Sequence, residues 1–459
     1  MSALYGIAGD LLKQIIHGKQ SVKTLLYNRE KNKIEASGVC LKSLLAIISG
    51  VLKLRKELEQ ACESTGIFKK CSPSSRFIIL VMVFELCIGK KKSVQGGGKL
   101  KRLLCSHKDK LDGVLSHVKL NAIPEALRFA RVNTLLISLE EAERVLVDSG
   151  FLEMDFNAVS HAAHSNLVFC KDEHVENVLV FPAGCDLHDH PLVIQHQLIL
   201  QDKASCFPAF VLNPGADWQV LDACAAPGNK TSHLAALVPQ GSVIAVEKDQ
   251  KRAEILQQRL SSFCPDTTRW SIERCDFLTL DPLDQKFGRV RAILVDPTCS
   301  GSGLDSVRLE RNMFEESITK QKLVKLAEFQ EKVVLHAMRF PNVERITYST
   351  CSVHSKENEQ VVMSILSKCP EFALETACPS WTRRGRFGLD KCIRMDPALD
   401  RSNGFFVALF KRKKQDNLLD PVLATSAAVE SEPAVLQPSR KKRKRVKKHS
   451  TSMRIQKRF

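Results

Sequence analysis

The stretch Trp218–Glu247, WQVLDACAAPGNKTSHLAALVPQGSVIAVE, reads as a strand, a tight turn, a helix and a second strand. Its apolar runs WQVLD (218–222) and VIAVE (243–247) are short, and Gly228 permits the turn into the helix between them. Runs of the same kind follow at Trp270–Asp276, Val290–Asp296 (VRAILVD), Val343–Tyr348 (VERITY) and Phe405–Phe410. Between or after them, Asp249–Phe263, Gln321–Phe340 and Ser355–Lys368 carry helical patterns. Strands alternating with helices imply a mostly parallel sheet covered on both faces, a doubly wound α/β fold. Ligands of such sheets sit beyond the carboxyl ends of the strands, so the informative residues should follow strands.

Outward from this core, 1–118 is expected to be a helical N-terminal domain. Leu41, Leu44, Leu45, Ile48 and Leu52 recur at helical spacing, and Phe77–Ile88 reads as a buried helix too short to span a membrane. Gly89–Leu100 (GKKKSVQGGGKL) reads as a flexible basic loop, without the Gly-Lys-Ser/Thr of a phosphate loop. A mixed segment, 119–195, precedes the α/β domain at 196–411, and 412–459 is expected to be a disordered basic tail. No signal peptide is apparent, so the sixteen cysteines should be reduced and serve as packing, ligands or catalysts. Cys170, His174, Cys185, His188 and His190 lie close together but match no standard zinc spacing, and no metal is expected. Of the net charge of +17, eleven positive residues lie between Arg440 and Phe459, where there is no acid. That density suits a nucleic acid or the nuclear import machinery, and with it a nuclear or nucleolar location.

The strand ends carry two kinds of chemistry. At the first, Cys224, Ala225, Ala226, Pro227, Gly228, Asn229 and Lys230 let the backbone approach a ligand closely. Glu247, ending the second strand, can accept hydrogen bonds from both hydroxyls of a ribose. Asp276, ending the third, is placed for an adenine edge or an amino group. The turn lacks the G-x-G-x-x-G of a dinucleotide site, so a compact nucleoside bearing an amino acid, S-adenosylmethionine, fits better. The fourth strand closes with Asp296-Pro-Thr-Cys299-Ser-Gly-Ser-Gly303 and the fifth with Tyr348-Ser-Thr-Cys351-Ser352. Both cysteines lie outside the apolar runs, among Ser, Thr and Gly, where a thiolate can act as a nucleophile.

Asp222–Thr231, Asp296–Gly303 and Ser349–Ser352 resemble the motifs of the Nop/Sun-domain RNA (cytosine-5) methyltransferases. Arg131-Val-Asn-Thr134, Leu200–Ser205 and Val180–Leu192 (VFPAGCDLHDHPL) extend the match and make the chain most similar to the branch acting on large-subunit ribosomal RNA, 28S in animals. The resemblance implies a seven-stranded methyltransferase sheet, an RNA-binding accessory domain over 119–195, and a monomer acting on ribosomal RNA or a pre-ribosomal particle in the nucleolus. It implies that Cys224–Lys230, Glu247, Arg252, Asp276 and Asp296 hold the cofactor. It assigns Cys351 as the nucleophile at carbon 6 of cytosine and Cys299 as its partner in release, with Asp296 and Lys230 supporting the proton and charge changes. DNA cytosine methyltransferases attack from a Pro-Cys motif, which makes Cys299 the rival. Thr298 departs from the Pro or Ser of many members, and His196-Gln197 replaces a family glycine. Methylation of a base nitrogen would favour an aromatic residue where Cys299 stands. A ribosome-assembly RNA-binding protein with a vestigial fold is the alternative of another class.

Overall fold

The structure, a computed structural model, describes residues 3–18, 25, 30–89, 92–120, 126–304 and 319–413. The expected basic tail lies outside them from residue 414 onward.

The described residues up to 120 are mainly helical, chief among the helices Ala3–Gly18, Leu41–Lys53, Arg55–Ser64, Arg76–Cys87, Lys99–Ser106 and Lys108–Leu120. Arg76–Cys87 is apolar nearly all round because it sits at the centre, with Leu80, Val81 and Val83 fully buried against Tyr5, Leu12 and Ile48. The expected loop after it is less loose than its composition suggests. Val94 is buried, and the Gln95 N–H donates to the Tyr5 hydroxyl at 2.9 Å.

A small five-stranded sheet comes next: β1 (Arg128–Val132), β2 (Leu152–Glu153), β3 (Val168–Lys171), β4 (Val178–Phe181) and β5 (Leu198–Leu200), in the order β2-β3-β4-β1-β5. Strand β5 pairs antiparallel with β1, so this sheet runs past the expected boundary at 195. Three residues are too few to show a period, and only the pairing assigns them. Cys170 and Cys185 are core residues here, His190 accepts a hydrogen bond from Leu192 N–H, and His174 packs edge-on to Trp381.

The large sheet holds β6 (Gln219–Asp222), β7 (Ser242–Val246), β8 (Trp270–Glu273), β9 (Val290–Val295), β10 (Arg345–Thr350), β11 (Phe372–Glu375), β12 (Ile393–Met395) and β13 (Phe405–Arg412). Its order is β11-β13-β10-β9-β6-β7-β8, seven strands, with β12 paired to the other half of the β13 edge that β11 occupies. The five strands from β8 to β10 are parallel, and β13 enters antiparallel beside β10. Both faces are apolar, as a doubly covered parallel sheet requires. Ile293, Val295 and Ile346 pack under helix Lys320–Met338, with Val333 and Val334. Ala292 and Leu294 face Ala209 and Leu212 of helix Lys203–Leu212. Strand order reverses between β6 and β9, and their diverging ends open a crevice there.

Three loops meet beside it. Gly303 N–H donates to the Cys351 carbonyl at 2.8 Å, and Gly404 N–H donates to the Gly303 carbonyl at 3.0 Å. A Cβ on Gly303 would overlap the Gly404 carbonyl oxygen. Gly303→Ala should therefore cost about 1–3 kcal/mol, read as a lower urea midpoint. Gly113→Ala, at an exposed position of helix Lys108–Leu120 with nothing within 4 Å, should be neutral or stabilising. An unchanged midpoint for Gly303→Ala would rule out this close crossing.

Candidate active site

Parallel strands deliver their carboxyl ends to one rim. Across β8, β7, β6, β9 and β10 that rim presents Asp276, Glu247, Asp222, Asp296 and Cys351 in spatial order.

The turn after β6 is built around Asp222, which is buried and fully engaged. Thr231 Oγ1–H donates to Oδ2 at 2.8 Å and Cys224 N–H to Oδ1 at 3.4 Å. Burial pushes the Asp222 carboxyl up to about 6, against the pull of Thr231 and Lys230. Asp222 thus shapes the turn rather than meeting a ligand. Gly228 begins helix Asn229–Leu237 at φ +106°, a conformation that a side chain would strain. Its α-carbon also faces Leu256 at a distance where a Cβ would sit 3.1 Å away.

Glu247 is 5% exposed. Arg252 bridges it to the turn: Nη1 lies 3.3 Å from Glu247 Oε2, and Nη2 donates to the Ala226 carbonyl at 2.7 Å. Asp276 accepts from Leu278 N–H at 3.0 Å and lies 3.7 Å from Lys248 Nζ. Asn229 departs from expectation. Its side chain accepts from Arg259 Nη1 at 2.9 Å and is drawn toward helix Gln250–Phe263 instead of the crevice. The carboxylates suit a ribose and an ammonium group, and the small Cys224–Gly228 turn suits close backbone approach. The residues present fit S-adenosylmethionine.

Lys230 crosses from the turn to the reactive strand. Its Nζ is 2.8 Å from Asp296 Oδ2 and 3.1 Å from Ser205 Oγ, over the Phe405 ring. Burial opposes the ammonium charge, but Asp296 outweighs it and holds the Lys230 pKa above its ordinary value. Ser349 O–H donates to the other oxygen, Asp296 Oδ1, at 2.6 Å.

Cys299 and Cys351, fifty-two residues apart in the chain, stand with sulfurs 3.2 Å apart. The pair is polarised. The contact with the Cys299 sulfur, helped by Lys230, holds Cys351 below the usual thiol range despite burial and Asp296. The same contact, with burial, pushes the Cys299 thiol far up. The structure therefore brings Lys230, Asp296, Cys299 and Cys351 into one cluster, as their strand-end positions lead one to expect.

Sequence reasoning missed the support beneath this cluster. Ser300, Ser302 and Ser352, flanking the cysteines, converge with Gln330 and Glu357 in a buried hydrogen-bonded group. The serines were visible as neighbours of the cysteines; nothing marked Glu357. Another buried chain runs back to the small sheet. Arg131, 1% exposed, donates to Gln201 Oε1 at 3.1 Å and Ser232 Oγ at 2.8 Å, and Gln201 Nε2 donates to the Ser205 carbonyl at 3.0 Å. His196 takes φ +59°, the region its replaced glycine would favour, with its ring against Phe263.

Three matched families tile most of the chain. Residues 42–128 match the N-terminal domain of NOL1/NOP2/Sun domain family member 5, and 126–201 match that member's ferredoxin-like domain. Residues 209–411 match the family described as 16S rRNA methyltransferase RsmB/F. The chain is 34% identical to a 28S rRNA (cytosine-C(5))-methyltransferase of Mus musculus, over 96% of this chain and 97% of that protein. It is 35% identical to a 25S rRNA (cytosine-C(5))-methyltransferase of Arabidopsis thaliana, over 91% of this chain and 74% of that one. The fold is shared with a solved methyltransferase homolog from Pyrococcus horikoshii, at 19% identity and a TM-score of 0.51, covering 78% of this chain and 99% of that one. Matched over almost its whole length by these relatives, the chain belongs to the NOL1/NOP2/Sun family, in the branch of its member 5.

Proposed function

We propose that this chain methylates carbon 5 of a cytosine in large-subunit ribosomal RNA, with S-adenosylmethionine as donor. The polarised thiol pair beside the Lys230–Asp296 ion pair carries the reading. The activities named for the mouse and plant relatives support the substrate class. The cofactor, held by the Cys224–Gly228 turn with Lys230, Glu247, Arg252, Asp276 and Asp296, supplies an electrophilic methyl carbon.

In this reading Cys351, the cysteine of the Ser-Thr-Cys-Ser motif, is the nucleophile, and the contacts with Cys299 and Lys230 that lower its pKa support the assignment. Its sulfur adds to carbon 6 of the ring, and the displaced electron pair moves toward the ring nitrogen and carbon 5. In this reading the Lys230 ammonium offers a proton to the ring nitrogen, and the Asp296 carboxylate, paired with it at 2.8 Å, orients it. Carbon 5, now enamine-like, takes the methyl group and retains a proton that must leave. Cys299 serves at this stage. Its high pKa arises chiefly from the Cys351 sulfur beside it, and that sulfur loses its negative charge on bonding to carbon 6. Adduct formation thus lowers the cost of ionising Cys299: its proton passes to water, and the thiolate takes the carbon 5 proton. The carbon 5–carbon 6 double bond re-forms as the Cys351–carbon bond breaks, and the ring nitrogen returns its proton to Lys230.

The small sheet is the RNA-binding accessory domain of this reading, and the basic tail adds sequence-independent affinity for phosphates and an import signal. The protein acts as a monomer in the nucleolus, on ribosomal RNA or a pre-ribosomal particle.

Bisulfite sequencing and denaturing gels test the division of labour. Cys351→Ala should abolish 5-methylcytosine without a protein–RNA adduct, whereas Cys299→Ala should trap one. The reverse pattern would exchange the roles, and undiminished methylation in both variants would end the proposal. Alkylation of Cys351 by iodoacetamide should rise through a midpoint below the free-thiol value of about 8.5. Because Cys299 and Lys230 stabilise the charged form, Cys299→Ala and Lys230→Gln should each move that midpoint up; a midpoint unmoved by both contradicts the polarity. Glu247→Gln should weaken S-adenosylmethionine binding by about 10-fold or more in calorimetry, as expected for lost hydrogen bonds to a charged acceptor. Unchanged affinity would remove Glu247 from the cofactor site.

A further inference from the structure

Two thiols on separate loops stay within 3.2 Å only if something beneath the loops fixes their separation. Each cysteine is followed by a serine, and both serines end on one carboxylate. Ser300 N–H donates to Glu357 Oε1 at 2.8 Å, and Ser352 O–H donates to Glu357 Oε2 at 2.6 Å. Glu357 is 0% exposed. Gln330 Nε2 is 3.0 Å from Glu357 Oε1 and 3.2 Å from the Thr298 carbonyl, so the same group also grips the residue before Cys299. The serine hydroxyls close the set, with Ser300 Oγ 3.0 Å from Ser302 Oγ and 3.1 Å from Ser352 Oγ.

Only a carboxylate offers two equivalent acceptor oxygens to donors arriving from two chain segments. Isolated burial of such a charge is costly, and here three donors from the loops and from helix Lys320–Met338 compensate it. Neither oxygen reaches a sulfur. We propose that Glu357 is a positioning residue for the thiol pair, setting the distance between Cys299 and Cys351 through Ser300 and Ser352. The inference rests on the two-cysteine reading above and names a determinant of its release step.

Glu357→Gln keeps the shape but leaves one acceptor oxygen where two are used. In the full-length protein it should leave S-adenosylmethionine affinity and the KM for ribosomal RNA unchanged. kcat should fall by about 100-fold, the order expected for a misplacement near 1 Å, with a trapped protein–RNA adduct as in Cys299→Ala. Ser352→Ala, which removes one arm of the link without touching the carboxylate, should trap adduct to a lesser degree, and it decides the matter if Glu357→Gln does not fold. A trivalent phenylarsenical, which needs two thiols within reach of one arsenic, reads the spacing without RNA. Wild-type protein should bind one equivalent more than Cys299→Ala, and both network variants should lose that equivalent. Retained arsenical binding with wild-type turnover in Ser352→Ala would overturn the proposal. Loss of the equivalent in a protein that methylates no RNA would uphold the positioning role and reject the methylation reading instead.

Discussion

The Lys230–Asp296 ion pair spans the point where strand order reverses, and the site depends on that span. Lys230 lies in the first turn of the helix that follows β6 and Asp296 at the end of β9, neighbouring strands whose connections leave in opposite directions. A 2.8 Å contact across this gap fixes the cofactor turn against the reactive loop. It also sets the electrostatics on both sides. The ammonium favours the Cys351 thiolate and holds down Asp222, while Asp296 keeps the ammonium charged despite its burial. Replacing either partner would leave a largely buried charge uncompensated, which costs more than the pair itself contributes.

The same lysine is the terminus of a path from the small sheet. Ser205 receives Lys230, Gln201 reaches Ser205, and Arg131 of β1 reaches both Gln201 and Ser232 on the helix that carries Lys230. Burial pushes Arg131 down only to about 10, so it remains a cation at neutral pH, held by neutral oxygens. A hydrophobic core shared by the two sheets, with Phe129, Val178, Phe207, Trp381 and Val407, prevents this path from being a hinge. The small sheet and the thiol cluster are therefore held in one register.

The central strands were legible because each is apolar on both faces, which leaves a contiguous run in the sequence. The acids and cysteines were legible because they end those runs. Helix Lys203–Leu212 was not, since burial on nearly every side erases its helical period and Pro208 interrupts it. Strands β11 and β12 were missed because they are short and gain their identity only by sharing one edge of β13. Glu357 was hidden for a different reason. It falls in Ser355–Lys368, which reads as one helix, but the helix begins at Glu359 and the preceding turn carries Glu357 inward. An acid at a helix start is ordinarily solvated, and no pattern in one dimension separates that case from this one.

Two cysteines solve a problem that one would not. The attacking sulfur must be anionic before addition, and the group that removes the carbon 5 proton must be neutral until addition has occurred. Two independent thiols of ordinary pKa would both be mostly protonated near neutrality. In the proposed mechanism their 3.2 Å contact separates the roles, because the same contact depresses Cys351 and raises Cys299. When Cys351 bonds to carbon in that mechanism, the contact no longer includes an anion, and the chief cause of the high Cys299 pKa is removed while burial remains. On the proposed roles, the order of the two steps follows from the pair, because the base forms more readily once the nucleophile has been consumed.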